Sequence, residues 1–235
     1  MQELLSGSLS FALYILPAAA VMLTARRLFR IGDELFRKIL HFILLGAYIP
    51  LLTAFQTWWI SAGFSLAVIV LVYPLLALAG RIPAFSAFVN ERRKGEFKSS
   101  LVLAFSVAAL STAICWGIFD DKLLVLACVY AWGVGDAFAA LIGKRFGKHK
   151  IRFRFADPRK SIEGSCTMFA CSALSVFTVL MIRGGLHGAS CLLISLAAAA
   201  ATTFVELCTR GGHDTITCPL AAMLVILPMV QLLGA

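Results

Sequence analysis

The chain has 235 residues, of which 60% are hydrophobic and 14% charged, and its mean hydropathy is +0.91. A water-soluble domain of this size needs more polar surface than that, so the composition indicates an integral membrane protein. The net charge of +9 does not indicate nucleic-acid binding. The placement of the basic residues on one side of the predicted membrane accounts for this charge.

Eight apolar stretches are each long enough to cross about 30 Å of hydrocarbon as a helix. Arg26 and Arg27 follow the first stretch and no basic leader precedes it, so we interpret it as a retained helix. We predict an all-α polytopic bundle of about eight transmembrane helices, within a range of seven to nine, that forms a single domain over residues 1–235. The stretches lie near residues 8–24, 39–55, 58–79, 100–118, 122–142, 165–183, 187–208 and 216–233.

The basic residues predict how this bundle is oriented. Of the 21 Lys and Arg residues, all but Lys122 and Arg183 fall on one side of the predicted membrane. The positive-inside rule makes that side cytoplasmic, and an even number of helices then places both termini outside.

Asp136 lies two-thirds of the way through an otherwise apolar span and is flanked by small residues. An acidic residue in a bilayer costs about 2.5–3.5 kcal/mol on insertion scales, so it marks either function or a buried ion pair. Helical spacing places Gly143 and Gly147 on nearly the same stripe as Asp136. The structural alternative is a packing seam in which Asp136 pairs with a basic residue such as Lys144 or Lys160.

A basic segment follows Asp136 and leads to a second candidate site. Eight Lys and Arg residues lie between 144 and 163, and the sequence Lys160-Ser161-Ile162-Glu163-Gly164-Ser165 opens the next span. Hydroxyls and free amides at a helix N-terminus can cradle a phosphate. A helix cap explains Ser161 but not its neighbours Lys160 and Glu163.

Further polar residues reach the predicted cytoplasmic face from other spans. Arg37 and His41 share a helical face that could hold an anion, although a snorkelling pair with one interfacial histidine would look the same. The full set is Arg37, Lys38 and His41 at the entry of the second span, Glu96 at the start of the fourth, and Glu206 and Asp214 between the seventh and eighth.

Three or four carboxylates beside a ring of lysines suit Mg²⁺-dependent handling of a nucleoside triphosphate. The motifs that soluble proteins use for this do not match. A Walker A loop is broken at Phe138 and Arg145, and a dinucleotide-binding fingerprint also fails at Phe138. The DGxxAR pattern of membrane CDP-alcohol phosphotransferases is absent from the sequence.

Five motifs, taken in order, make the chain resemble the CTP-dependent polyprenol kinase family, which includes dolichol, phytol and farnesol kinases and the CTP-using diacylglycerol kinase. Thr215 departs from the family pattern, in which Asn follows the last aspartate. The motifs are Arg37-Lys38-x-x-His41, Gly95-Glu96, Gly135-Asp136-Ala137-x-Ala139 with Gly143-Lys144-x-x-Gly147, Lys160-Ser161-x-Glu163-Gly164-Ser165, and Glu206 with Asp214 before Pro219.

The resemblance implies transfer of the γ-phosphoryl group of CTP to the hydroxyl of a membrane-dissolved alcohol, with Mg²⁺, at the cytoplasmic face. It implies catalytic roles for Asp136, Lys160 and Glu163, with either acid orienting or deprotonating the hydroxyl. The implied metal ligands are Asp136, Glu206 and Asp214. The implied nucleotide-binding residues are Arg37, Lys38, His41, Gly135, Gly143, Lys144, Gly147, Ser161, Gly164 and Ser165, with Glu96 as a further candidate. The predicted site therefore occupies segments 37–41, 91–100, 133–165 and 206–219.

The lipid alcohol stays open between a phytol-like or other short polyprenol, which we favour, dolichol and diacylglycerol. Two other functions also remain open. A phosphatidate cytidylyltransferase would use the same CTP, metal and bilayer geometry, and its His-Gly-Gly-x-x-Asp-Arg signature loosely resembles Gly211-Gly212-His213-Asp214. A transporter with midplane acids would explain Asp136 and Glu206, but not the basic loop.

Overall fold

The computed structural model describes residues 1–29, 31–81, 95–151, 154, 156–158, 160–210 and 212–234, and at 96 and 97 it describes the backbone alone. Residues 91–94, 152, 153, 155, 159 and 211 of the predicted site segments therefore lie outside the described part, as does the side chain of Glu96.

The described residues form nine α-helices and one π-helical stretch, and within these ranges there is no strand. A π-helical stretch, Thr112–Ile118, continues α5 without a break. The helices are α1 Gln2–Phe29, α2 Asp33–Gly46, α3 Tyr48–Thr53, α4 Trp58–Ala79, α5 Glu96–Ser111, α6 Lys122–Phe146, α7 Ile162–Arg183, α8 Gly188–Cys208 and α9 Asp214–Leu233.

Eight of these helical segments are long and apolar enough to cross a membrane, with α2 and α3 counted as one and α5 counted with its π-helical stretch. The predicted all-α membrane bundle is thereby confirmed. The predicted helix boundaries were less accurate, because the helices extend beyond the apolar stretches and include charged residues at their ends. Helix α2 begins at Asp33 and not near 39, and α6 runs to Phe146 and not to 142, so Lys144 lies in the last turn of α6.

Helix α6 forms the centre of the bundle and packs most extensively against α7, with α9 and α2 also against it. Small residues dominate its buried faces, among them Ala127, Ala131, Gly135 and Ala139. Small side chains let neighbouring backbones approach, which is how membrane helices associate without a strong hydrophobic driving force. The large apolar residues of α1 and α4 are mostly exposed, so these helices lie at the lipid-facing periphery.

Polar contacts at the end of the bundle near Asp121 hold α6 and α7 in register. The Asp121 side chain caps α6 by accepting hydrogen bonds from the amides of Leu123 at 2.9 Å and Leu124 at 3.2 Å. Its second oxygen accepts from Arg183 at the end of α7. Asp121 and Arg183 are therefore explained by capping and pairing between the helices.

At the opposite end, the segment between α6 and α7 folds back on itself. Lys150 and Ser161 form an isolated antiparallel bridge, and the Ile162 amide donates to the His149 carbonyl at 2.9 Å. The Asp157 amide donates to the Leu207 carbonyl at 3.0 Å, which ties this segment to the end of α8. Lys160 is thereby placed between α6, α7 and α8.

Candidate active site at the ends of the helices

An ion pair between α2 and α6 anchors the site. Lys38 Nζ lies 2.6 Å from Asp136 Oδ2, and both side chains are largely buried, with exposed fractions of 13% and 15%. One turn along α2, His41 Nε2 lies 3.0 Å from the Gly133 carbonyl oxygen. Lys38 and His41 are three positions apart and so share the face of α2 that packs on α6. The predicted partners of Asp136 were Lys144 and Lys160, whereas its hydrogen-bond partner is Lys38.

Gly133 makes the close approach of α2 to α6 possible. A Cβ on Gly133 would lie 2.7 Å from Leu45 Cδ1, well inside contact distance. Gly135 faces α7, where a Cβ would lie 2.6 Å from Met168 Sδ. The small residues around Asp136 therefore form helix seams on two sides, as the packing interpretation expected.

A second ion pair joins Lys160 to Glu206 at the end of α8. Glu206 is 2% exposed, so its carboxylate depends on this lysine. Burial acts to lower the pKa of Lys160, but the nearby carboxylates of Glu206, Asp136 and Asp214 outweigh burial and raise it. Lys160 therefore remains protonated at neutral pH, and the three predicted metal-linked acids all act on one lysine.

The start of α7 packs against the end of α6 through glycine. A Cβ on Gly143 would lie 3.4 Å from both the Gly164 Cα and Ser161 Oγ, and one on Gly147 would lie 2.5 Å from Ser161 Oγ. Ser161 Oγ accepts a hydrogen bond from the Gly164 amide at 3.2 Å, so Ser161 caps α7. The Ser165 amide donates to the Ser161 carbonyl at 3.0 Å. The amides that we expected to be free for a phosphate are thus bonded within the protein.

The Glu163 side chain contacts the segment that precedes α7. Its Oε1 lies 2.8 Å from His149 Nδ1 and accepts from the amides of Lys148 at 3.1 Å and His149 at 3.2 Å. These contacts fix the path of the chain as it leaves α6. They give Glu163 a structural task beside the catalytic one that the sequence predicted.

Arg37 and Lys144 lie at the rim of the site and share one acidic partner. Arg37 Nη2 donates to Glu34 Oε2 at 2.8 Å, and Lys144 Nζ donates to the same oxygen. The structure thus separates Arg37, which faces Glu34, from Lys38 and His41, which face α6. Asp214 begins α9 beside Lys160, and Glu96 begins α5.

Among the described residues, no three or more His, Cys, Asp or Glu side chains are grouped closely enough to hold a metal ion together. The donor set nevertheless fits Mg²⁺ in the form in which nucleotide enzymes bind it. Mg²⁺ prefers hard oxygen ligands and is held by one or two carboxylates together with substrate phosphates. Asp136, Glu206 and Asp214 supply such carboxylates, two of which are paired with lysines.

Sequence reasoning missed one pairing and two residues of this region. Lys38 was predicted to bind phosphate, but its pairing with Asp136 spans 98 positions and has no local signal. Glu34 could have been noticed as an acid three positions before Arg37. Trp132, one turn before Asp136, packs edge-on against His41 with ring centroids 5.0 Å apart. Its spacing of four positions from a buried acid is visible in the sequence and could have identified Trp132 as a candidate site residue.

Comparison with known proteins gives the family. The sequence profile of the Cytidylyltransferase family matches residues 4–212. The chain belongs to this family. A phytol kinase of Synechocystis sp. is 32% identical over 215 residues, which cover 88% of this chain and 85% of that kinase. These relationships confirm the resemblance to CTP-dependent polyprenol kinases that the five motifs indicated.

A shorter match agrees with this assignment to the family. A dolichol kinase of Schizosaccharomyces pombe is 44% identical over 78 residues, or 33% of this chain and 14% of that kinase. No solved structure matches the chain.

Proposed function

We propose that this protein transfers the γ-phosphoryl group of CTP to the hydroxyl of a membrane lipid alcohol, with phytol or another polyprenol favoured over dolichol and diacylglycerol. The observation that carries the proposal is the convergence of the Lys38–Asp136 and Lys160–Glu206 pairs at one end of the bundle. The similarity to a phytol kinase and to a dolichol kinase supports a lipid-alcohol kinase.

Phosphoryl transfer needs positive groups around the phosphates and an acid near the attacking hydroxyl. Among the described residues, Lys38 and Lys160 are the lysines whose charge acts on Asp136, and both would turn from their carboxylates to phosphate oxygens when the nucleotide binds. The bond between the γ-phosphorus and the bridging oxygen breaks, the alcohol oxygen bonds to that phosphorus, and CDP leaves. Asp136 would orient the hydroxyl and accept its proton.

The carboxylates would complete the nucleotide site. One or two of the carboxylates of Asp136, Glu206 and Asp214, together with phosphate oxygens, would hold Mg²⁺, which when bound would neutralise phosphate charge. Lys144 and Arg37 at the rim would attract the incoming nucleotide, with Glu34 as the partner that they leave. The N-terminus of α7, capped by Ser161, would add a favourable dipole for an anion.

We further propose that this end of the bundle faces the cytoplasm and that residues 1–235 act as one catalytic domain in the membrane. Lys38, Lys144 and Lys160 lie at the same end, and the positive-inside rule assigns it to the cytoplasm. With this orientation, CTP in the cytoplasm would reach the site without crossing the bilayer.

The family description favours one second function, the synthesis of a CDP-lipid from phosphatidate. The two reactions differ in which phosphorus of CTP is attacked. In the kinase reaction the γ-phosphorus moves to an alcohol, whereas in the cytidylyltransferase reaction the α-phosphorus moves with the nucleoside to phosphatidate.

The deciding experiment uses purified protein in mixed micelles with Mg²⁺ and CTP labelled with ³²P at either the γ or the α position. The acceptors are phytol, farnesol, a long polyprenol, diacylglycerol and phosphatidate. We expect γ label in a phosphorylated alcohol and no α label in lipid. Transfer of α label to phosphatidate would replace the kinase with the cytidylyltransferase.

A further inference from the structure

A narrow apolar cleft lies between α2, α3, α5 and α6, and its empty space is about 430 Å³ when the open space at its mouth is included. His41 and Trp132 form one end of its lining, and Leu45, Leu51, Ala104 and Ala108 are among the apolar residues along it. His41 and Trp132 therefore place polar groups at one end of the cleft, the Tyr48 hydroxyl lies farther along it, and the other lining residues are apolar.

The Trp132 side chain carries a buried donor without a partner. Trp132 is 6% exposed, and its Nε1 has no hydrogen-bond partner among the described residues. Burying a polar group without a partner is unfavourable, so such a group needs an explanation. The other polar side chains on the wall are engaged, since His41 Nε2 contacts the Gly133 carbonyl oxygen and the Tyr48 hydroxyl interacts with Ser111.

The length and the apolar lining of the cleft suit one extended tail with a polar head, which would lie along the open side of the cleft. Its wall runs along α2 and α3 from His41 to Leu51, ten positions that span about 15 Å at helical rise, or about half of the hydrocarbon thickness. Trp132 lies four positions from Asp136, so its Cα is about 6 Å along α6 from that of the proposed catalytic acid.

We propose that this cleft binds the lipid alcohol acceptor, with the hydroxyl at the Trp132 end and the isoprenoid-type tail along Leu45 and Leu51. The inference rests on the proposed function, because it gives the alcohol of that reaction its place. The Trp132 Nε1–H donates a hydrogen bond to the alcohol oxygen, and a lone pair of that oxygen is left to attack phosphorus beside Asp136.

Photolabelling tests the location without relying on catalysis. A diazirine analogue of farnesol is irradiated with the intact protein in micelles, without nucleotide, and the labelled peptides are identified by mass spectrometry. We expect label on the peptides that carry residues 41–51, 104–108 and 132, and we expect excess phytol to remove it. Label confined to the lipid-facing surfaces of α1 and α4, or label that phytol does not displace, would overturn the inference.

Two variants test the contacts. Trp132→Phe keeps an aromatic ring and removes the donor, so the KM for the alcohol should rise about five- to tenfold while the KM for CTP stays the same. Ala104→Phe should fill the cleft and abolish displacement by phytol, whereas Leu110→Phe, on the exposed side of α5 and outside the lining, should not. Normal displacement in Ala104→Phe would overturn the inference even if Trp132→Phe fails to fold.

The results of the photolabelling and of the activity assay distinguish failure of this inference from failure of the proposed function. Specific labelling of the cleft without any phosphoryl transfer from CTP would remove the proposed kinase activity and leave the alcohol-binding site. Transfer of γ label to phytol together with labelling elsewhere would keep the kinase and remove the cleft from its mechanism.

Discussion

Lys38 Nζ and Asp136 Oδ2 lie 2.6 Å apart and join the start of the second transmembrane span to the middle of the bundle. Each group accounts for the presence of the other in an apolar environment, because a buried charge is tolerated when it is paired and hydrogen-bonded. The same pair can separate into a phosphate-binding cation and a catalytic acid. The position of the pair beside Lys160 favours this role in phosphoryl transfer.

Asp136→Asn should remove activity and leave the fold intact. The amide keeps the size of the side chain and can still accept a hydrogen bond from Lys38, but it cannot accept the proton of the alcohol or hold Mg²⁺ well. We expect kcat to fall at least about 100-fold, in the range seen when one group that stabilises a transition state is lost. The measurement is the initial rate of γ-phosphoryl transfer from labelled CTP in micelles.

Asp33→Asn is the matched control for this variant. Asp33 also lies in α2 beside the basic end, but its side chain is 54% exposed and pairs with Arg26. Activity of Asp33→Asn should stay within about twofold of wild type. If Asp136→Asn retains activity within a few-fold and the control behaves as expected, Asp136 has no catalytic role.

Glu163→Gln should separate a positioning role from a catalytic one. Glu163 holds the His149 ring and two amides, so its loss should loosen the segment before α7. We expect the KM for CTP to rise several-fold with kcat nearly unchanged, and we expect His149→Ala to show a similar pattern. A loss of kcat as large as that of Asp136→Asn would make Glu163 the catalytic acid. Full kinetics for both variants give the comparison.

The sequence predicted the bundle well because hydrocarbon thickness limits what an apolar stretch can be. Eight spans follow from length and hydropathy alone. The partners of the charged residues could not be predicted in the same way. The pairing of Lys160 with Glu206 depends on how the segment after α6 folds back against α8, and the bond between the Asp157 amide and the Leu207 carbonyl that fixes this fold involves backbone groups only.

Glycine at position 143 illustrates the same limit. The spacing of small residues predicted a seam near Asp136, but not which helix would pack there. The structure places Gly143 against Gly164 and Ser161 at the start of α7. A stripe of small residues is therefore readable from sequence, whereas the neighbour that it meets depends on the three-dimensional packing of the whole bundle.

Lys160→Met should destabilise the protein by an amount that depends on pH only in the alkaline range. Removing Lys160 leaves the buried Glu206 carboxylate without its cation, at a cost of about 3 kcal/mol. The folded protein raises the pKa of Lys160 above its ordinary value of 10.5. The stabilisation is therefore fully present below pH 10.5 and is lost as the pH rises through the higher pKa of the folded state.

Thermal unfolding in detergent between pH 7 and pH 11 measures this effect. The difference in Tm between wild type and Lys160→Met should stay constant from pH 7 to pH 9 and shrink above about pH 10.5. Lys148→Met, at an exposed position, should show little difference at any of these values. A gap that closes near pH 8 would mean that Lys160 titrates far below the range that its carboxylate neighbours impose.

Gly135→Ala should destabilise the bundle, because the new Cβ would lie 2.6 Å from Met168 Sδ and 3.1 Å from the Met168 carbonyl oxygen. The backbone of α7 cannot move away easily, so we expect a loss of about 1–3 kcal/mol. Gly63→Ala is the control within α4, where a Cβ would meet no atom within 4 Å. That variant should be neutral or more stable, by up to about 1 kcal/mol, since alanine favours helix. Detergent-denaturation midpoints of the two variants compare them directly.

Reporter fusions should place the Lys38–Asp136 end of the bundle in the cytoplasm. All but two of the 21 Lys and Arg residues belong to that side, and the eight spans return the C-terminus to the opposite one. Alkaline phosphatase fused after Leu233 should be active, because it folds outside the cytoplasm, and a green fluorescent protein at the same position should be dark. The same reporters inserted between Cys208 and Asp214 should give the reverse result. An active phosphatase between Cys208 and Asp214 would put the carboxylates beside Lys160 on the wrong side of the membrane for CTP.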